Sequence, residues 1–147
     1  PRYGLVVSFI EAVKGVTKTV RIDGQEKTIK VPAGVDEGTR IKFNDFYVSI
    51  EVKPDKIFKR DGVDLYIDQE ISYAQAALGD VVQVPTIDGE INIRVQPGTK
   101  SGTMIRLHGR GAPYLNSGGR GDQYVRLIIQ VPSKLSSEQK DLLRKLE

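Results

Sequence analysis

The chain repeats itself. SFIEAVKG at residues 8–15 returns as SYAQAALG at 72–79, an offset of 64. At the same offset VPAGVDEGTRIKF (31–43) matches VQPGTKSGTMIRL (95–107), so that Gly34, Gly38, Thr39 and Ile41 meet Gly98, Gly102, Thr103 and Ile105. A third pair, DFYVSIEV (45–52) and DQYVRLII (122–129), is displaced by 77. The second copy therefore carries thirteen residues that the first lacks, within the glycine-rich stretch 108–121. Two units with the same order of elements are expected, one over 1–63 and one over 64–147.

Each unit has a legible local grammar. Ser8 with Glu11, and Ser72 with Gln75, form capping boxes. In such a box the hydroxyl accepts from an orphan N–H of the first helical turn while the Glu or Gln side chain reaches back. Gly15 and Gly79 supply left-handed stops. Two short helices follow from this. Runs rich in β-branched residues come next, at 17–22, 28–31, 39–43 and 46–52, and again at 81–84, 91–95, 104–107 and 124–131. Several alternate apolar and polar residues, as strands with one buried face do. Asp23-Gly24 and Asp88-Gly89 have the form of tight hairpin turns. A last helix is opened by Ser136 with Gln139, and its apolar stripe is Leu142, Leu143 and Leu146. The expected fold is mainly β: two tandem small β-sandwich lobes, each with one short helix, plus a C-terminal helix. Phe9 and Tyr73 hold equivalent places and read as core residues under the two short helices.

Composition narrows the functional classes. With no cysteine and one histidine, disulfides, thiol catalysis, cysteine-ligated zinc and His-rich metal sites are excluded for this chain. No apolar run approaches the ~20 residues of a membrane span, and Pro1-Arg2-Tyr3 does not open a signal peptide. A soluble, cytoplasmic protein without a membrane partner is expected. The isoelectric point of about 9.1 raises nucleic-acid binding. However, residues 1–64 hold 12 Lys/Arg against 10 Asp/Glu and residues 65–147 hold 10 against 9, with the signs interspersed. A nucleic-acid binder concentrates its basic residues, so no nucleic-acid partner is expected.

Enzyme chemistry is hard to find. His108 sits between Leu107 and Gly109 in the glycine-rich loop and reads as a solvated side chain. No carboxylate pair has a spacing that forces it into one apolar pocket. HGRGAPYLNSGGRGD matches neither a dinucleotide fingerprint nor a phosphate loop and reads as a flexible hairpin tip. Arg120-Gly121-Asp122 is the adhesion tripeptide by letter alone. IFKRDG (57–62) breaks the repeat; it is either an interlobe linker with a packed Phe or a functional insertion.

Taken in order, SFIEAVKG, VPAGVDEGTRI, FKRDGVDLY, AALGD, PTIDG, PGTKSG and GRGDQYV resemble the C-terminal substrate-binding region of DnaJ-type heat-shock co-chaperones over essentially the whole chain. The resemblance implies a non-enzymatic co-chaperone that binds unfolded polypeptide clients and presents them to a DnaK-type ATPase chaperone, as a homodimer joined through the C-terminal end. It places the client groove on the first lobe, at Leu5 and Val7 of the opening strand and Lys18, Val20 and Ile22 of the strand after the helix, with Phe58 closing one end. Strand alternation puts Lys18, Val20 and Ile22 on one face, which is also what a lobe's own core requires. Leu142, Leu143 and Leu146 would mediate dimerisation. Many relatives insert a cysteine-rich zinc module where Ile22-Asp23-Gly24-Gln25 runs here. No cofactor is therefore expected in this chain, and zinc belongs to a parent protein only if that module has been omitted. The chain has no His-Pro-Asp triplet and is not expected to stimulate the ATPase by itself. The competing readings are a β-sandwich scaffold that binds a folded protein partner and an oligonucleotide-binding barrel, which needs stacked surface aromatics in a basic groove.

Overall fold

Parallel strand pairing organises both units. A computed structural model describes residues 1–147. Its elements are β1 (Arg2–Val7), α1 (Phe9–Lys14), β2 (Val16–Ile22), β3 (Gln25–Val31), β4 (Arg40–Lys42), β5 (Tyr47–Val52), β6 (Lys59–Asp61), β7 (Asp64–Ser72), α2 (Tyr73–Leu78), β8 (Asp80–Thr86), β9 (Gly89–Val95), β10 (Met104–Leu107), β11 (Gln123–Gln130) and α3 (Ser137–Leu146). In the first lobe β1 runs parallel to β5, in the sheet β1-β5-β4, and β2-β3 form a separate hairpin. In the second lobe β7 runs parallel to β11, in the sheet β10-β11-β7-β6, and β8-β9 form the hairpin. The mainly-β fold with three short helices is as the sequence led one to expect. The opening strand is longer than Leu5–Val7, and β7, nine residues long, is an element the sequence pattern did not single out.

The helix signals and the first hairpin turn act as read. All three capping boxes close: Ser8, Ser72 and Ser136 accept from the N–H groups of Glu11, Gln75 and Gln139 at 3.1, 3.0 and 3.1 Å, and those side chains accept in return. Gly15 adopts φ 83°, and a Cβ there would stand 2.9 Å from the Ala33 nitrogen, so both conformation and space demand glycine. Asp23 and Gly24, at φ 52° and 79°, make a two-residue turn of type I′ between Ile22 and Gln25. In the second lobe the turn lies one residue earlier than expected. Thr86 pairs with Gly89 and the turn residues are Ile87 and Asp88.

The interior divides into two clusters whose membership crosses the repeat boundary. The first has ten buried residues, among them Leu5, Val7, Ile22, Val48 and Ile50. The second has fifteen and draws Phe9, Val13 and Phe58 into the interior formed by β7, β8, β9 and β11. Phe9 and Phe58 stack at 6.0 Å between ring centroids. Helix α1 thus puts Ala12 into its own lobe and Phe9 and Val13 into the next one. Tyr73, the counterpart of Phe9, is 43% exposed. The expectation that both are core residues fails for Tyr73, because α1 has a following lobe to bury against and α2 has only α3. The 63/64 boundary falls in the β6–β7 turn, and β6 hydrogen-bonds to the second lobe's sheet.

The glycine-rich segment is not a free hairpin tip. Its base is packed: Ala112 N donates to Val63 O at 2.8 Å, and Gly111 and Gly121 press so closely on Val63 that a Cβ would clash with its carbonyl. Gly34 of the first lobe lies where a Cβ would be 2.5 Å from Pro113 O. Arg60 adds a second tie between the lobes, donating to Val35 O at 2.6 Å and Gly34 O at 3.0 Å. The residues that break the repeat therefore fasten one lobe to the other. Truncating Phe58 to Ala should cost about 3–5 kcal/mol of unfolding free energy, measured by urea denaturation. A loss below 1 kcal/mol, near the smallest changes seen for core truncations, would mean that this ring does not pin the lobes.

Candidate functional site

The two edges that meet in the first lobe are defined by which way each backbone group points. Along β1 the carbonyls of Pro1 and Val7 accept from Tyr47 N at 3.0 Å and Lys53 N at 2.9 Å. By the two-residue period of a strand, the odd positions address β5 and the even ones, Arg2, Gly4 and Val6, face away. No strand pairs with them, since β1 ends its sheet. In β2 the turn closes on the Ile22–Gln25 pair, so Val16, Lys18, Val20 and Ile22 exchange bonds with β3. The backbone groups of Thr17, Thr19 and Arg21 face away from β3, also without a partner strand.

These open edges lie side by side. Lys18 Nζ of β2 donates to Val6 O of β1 at 3.3 Å, and Tyr3 of β1 donates through its hydroxyl to Asp23 Oδ2, at the end of β2, at 3.3 Å. The contacts order the two strands antiparallel, yet no backbone ladder joins them. Side chains rather than main chain span the space between. That space is a slot bounded by two rows of peptide groups that join no strand ladder, the Val6 carbonyl among them accepting from Lys18.

The residues expected to line a groove are distributed unevenly. Leu5, Val7 and Ile22 are buried in the first lobe's interior, and half-buried Val20 packs against it. Their side chains support the slot from beneath. Lys18 alone of this set reaches across it. Phe58 lies in the other cluster, one layer removed, with Val52 packed against both clusters between them. Sequence reasoning missed the residues whose backbones border the slot: Gly4, Val6, Thr17, Thr19 and Arg21. The signal was available, because in a strand the residue that turns its side chain inward turns its peptide groups toward one neighbour, and the next residue faces the other. Val6, 43% exposed, is the apolar side chain on that open edge.

Charge is concentrated at one point of the slot. Glu11 pairs with Lys18 at 3.2 Å while its carboxylate accepts from Ser8 N at 2.8 Å. The Ser8 N–H foremost, and Lys18 after it, hold the Glu11 carboxyl below the ordinary range. In the second lobe Asp122 is held low by the Gly109 N–H and by Arg106, and highly exposed His108 lies 3.2 Å from it. Arg120 bonds to Asp88 and to Gly111 O, so the tripeptide at 120–122 fastens the loop. No group of three or more His, Cys, Asp or Glu side chains converges, and no helix is long and apolar enough to cross a membrane. At the far end, α3 buries none of its residues. Leu142 and Leu146 are 58% and 67% exposed, and Leu142 and half-buried Leu143 line an open groove with Tyr73 and Leu135.

Two duplicated β-lobes, each built on a parallel strand pair with a separate hairpin, define the class of module. The comparisons identify the family. Residues 2–132 match the DnaJ C terminal domain, and the chain belongs to that family. It is similar to the chaperone protein DnaJ of Clostridium tetani, 46% identical over 134 residues, which are 81% of this chain and 36% of that protein. It is 44% identical over 130 residues to that of Clostridium perfringens, covering 80% of this chain and 34% of the relative. It is 45% identical over 129 residues to that of Methanothermobacter thermautotrophicus, covering 79% and 34%. The chain spans about a third of the length of these relatives.

The depressed Glu11 carboxyl has a consequence for stability. A carboxyl whose folded value lies below its unfolded one contributes fully above the unfolded range, and the contribution fades as pH falls through the folded value. In carboxyl NMR titration Glu11 should protonate below an unstructured Glu, and Lys18→Met should move it partly back. A Glu11 that titrates in the ordinary range would break this account of the slot's rim.

Proposed function

We propose that this chain is the polypeptide-binding part of a co-chaperone, taking non-native segments into the slot between β1 and β2 by strand addition. The observation that carries the reading is the pair of open edges facing each other across the slot. An unfolded client offers unpaired peptide groups and exposed apolar side chains. Main-chain bonds at an open edge give affinity without demanding a sequence, and side-chain contacts add preference. The clients are then handed to a DnaK-type ATPase chaperone. The chain acts without catalysis or a cofactor of its own, in the cytoplasm.

Light scattering of a refolding denatured client tests the reading. The chain should suppress aggregation, and no slowing at several-fold molar excess would overturn it. Thr19→Pro sharpens the test, because it removes an outward N–H while sparing the β2–β3 ladder. It should weaken binding of an extended apolar peptide about tenfold and leave the melting temperature within a few degrees.

The exposed leucines of α3 support a homodimer. A helix of ten residues is marginal in water by itself, and its stripe finds little cover in its own chain. Two linked slots would raise effective concentration on a long client without new contacts. Sedimentation of the whole chain should give a dimer, and a chain ending at Lys134 a monomer. Two monomers would exclude this use of Leu142, Leu143 and Leu146.

A further inference from the structure

An open strand edge invites the wrong partner as readily as the right one, and the two lobes handle this differently. In the second lobe β7 corresponds to β1. Its edge is covered at one end by β6, which pairs Lys59, Arg60 and Asp61 with Tyr66, Leu65 and Asp64. In the first lobe the corresponding edge carries no strand at all. It carries instead an ammonium group, Lys18 Nζ, on the outward carbonyl of Val6.

Lys18 is out of place by pattern. It occupies the inward-facing row of β2 with Val16, Val20 and Ile22, and its side chain is only 31% exposed. At the matching position of the second lobe stands Val82, 9% exposed and part of the interior. The anion that holds Lys18 differs as well. Glu11 is matched by Gln75, which closes its capping box equally well but turns its amide to Asp80. Both members of the ion pair are therefore present in the first lobe and absent from the second, where β6 covers the edge as far as Tyr66 and the carbonyl of Glu70, the counterpart of Val6, accepts from the neutral amide of Gln69 at 3.2 Å instead of from an ammonium group. A cap on the helix needs only Glu or Gln, so the cap alone does not explain the charge.

We propose that Lys18, held by Glu11, is a displaceable guard of the client slot. At rest the ammonium satisfies the Val6 carbonyl and blocks strand addition, including addition of another copy of this chain. A client enters by replacing that one contact with a peptide N–H and continuing along the edge. A single side chain can be displaced by a segment that makes several bonds in register, and not by one that makes a single stray contact. Lys18 thus sets a threshold favouring extended, backbone-accessible polypeptide. The proposal rests on the polypeptide-binding reading above and concerns how that same slot is regulated.

Calorimetry of the whole chain with a neutral extended peptide, rich in Leu and Phe and blocked at both ends, tests it. Lys18→Met keeps the apolar stem and removes the donor. It should bind the peptide about threefold to tenfold tighter than the unaltered chain, the range expected when one competing hydrogen bond is removed. Lys30→Met, an exposed lysine on β3, should change nothing, which separates the guard from net charge. Glu11→Gln keeps the capping box, should also tighten binding, and should have no further effect once Lys18 is Met, since it acts through that residue. Sedimentation of Lys18→Met should reveal concentration-dependent association beyond the dimer that the unaltered chain forms through α3. If the unaltered chain binds and Lys18→Met binds equally or more weakly, the guard is overturned and the binding reading stands. If neither protein binds, both fall. Should Lys18→Met not fold, Glu11→Gln decides alone, tighter binding supporting the guard and unchanged binding overturning it.

Discussion

Everything distinctive about this fold follows from the parallel pairing at the centre of each lobe. Antiparallel neighbours can be joined by a tight turn, but parallel ones need a crossover of a dozen or more residues. Between β1 and β5 that crossover contains α1, the β2–β3 hairpin and β4. The hairpin closes the first lobe's interior, supplying Ile22, Ile29 and Val31 to the cluster that Leu5, Val48 and Ile50 enter from the sheet. It also brings the outer edge of β2 beside the outer edge of β1 without joining them. The slot is the geometric residue of packing a hairpin on a sheet whose end strand lies against the middle one in parallel.

Much of this was legible in the sequence, for reasons that can be named. The capping boxes and stops are local chemistry, and duplication confirms each element by its copy. What escaped notice depended on neighbours distant in the chain. In β7, Asp68 and Glu70 interrupt any apolar run, but in the sheet they meet Arg126 and Gln130 across the strand pair. Tyr73 was read from Phe9 as though the lobes were independent. They are consecutive, so one helix has a successor and the other does not. The candidate slot was legible to the level of its two strands. Its residues were not, because apolar side chains mark the inward face while the open hydrogen-bonding groups belong to their neighbours in sequence.

The same logic explains the residues that depart from the repeat. Arg60 is a cation whose side chain is almost fully buried, and that burial draws its guanidinium downward from the ordinary range, with Asp36 opposing the effect. Carbonyls of Val35, Gly34 and Gly62 receive its N–H groups. A cation surrounded by carbonyls on both sides of a lobe junction fixes orientation through direction as well as attraction, because a planar guanidinium bonds along set lines. The 108–121 segment does the complementary task from the second lobe, through backbone approach to Val63 and Gly34.

A contact in which one unit's helix grips the next unit has a head and a tail. Helix α1 presents Phe9 and Val13 to a following lobe, and α2 presents Tyr73 and Ala74 from the corresponding face. Contacts of this polarity have no internal reason to stop at two, and repeated arrays require a terminal element that differs from the rest. Here the segment from Leu135 through Leu143 lies where a third lobe would begin. Helix α3 thus stands toward α2 where the second lobe stands toward α1, so the same helical face meets a whole lobe in one unit and a single amphipathic helix in the other.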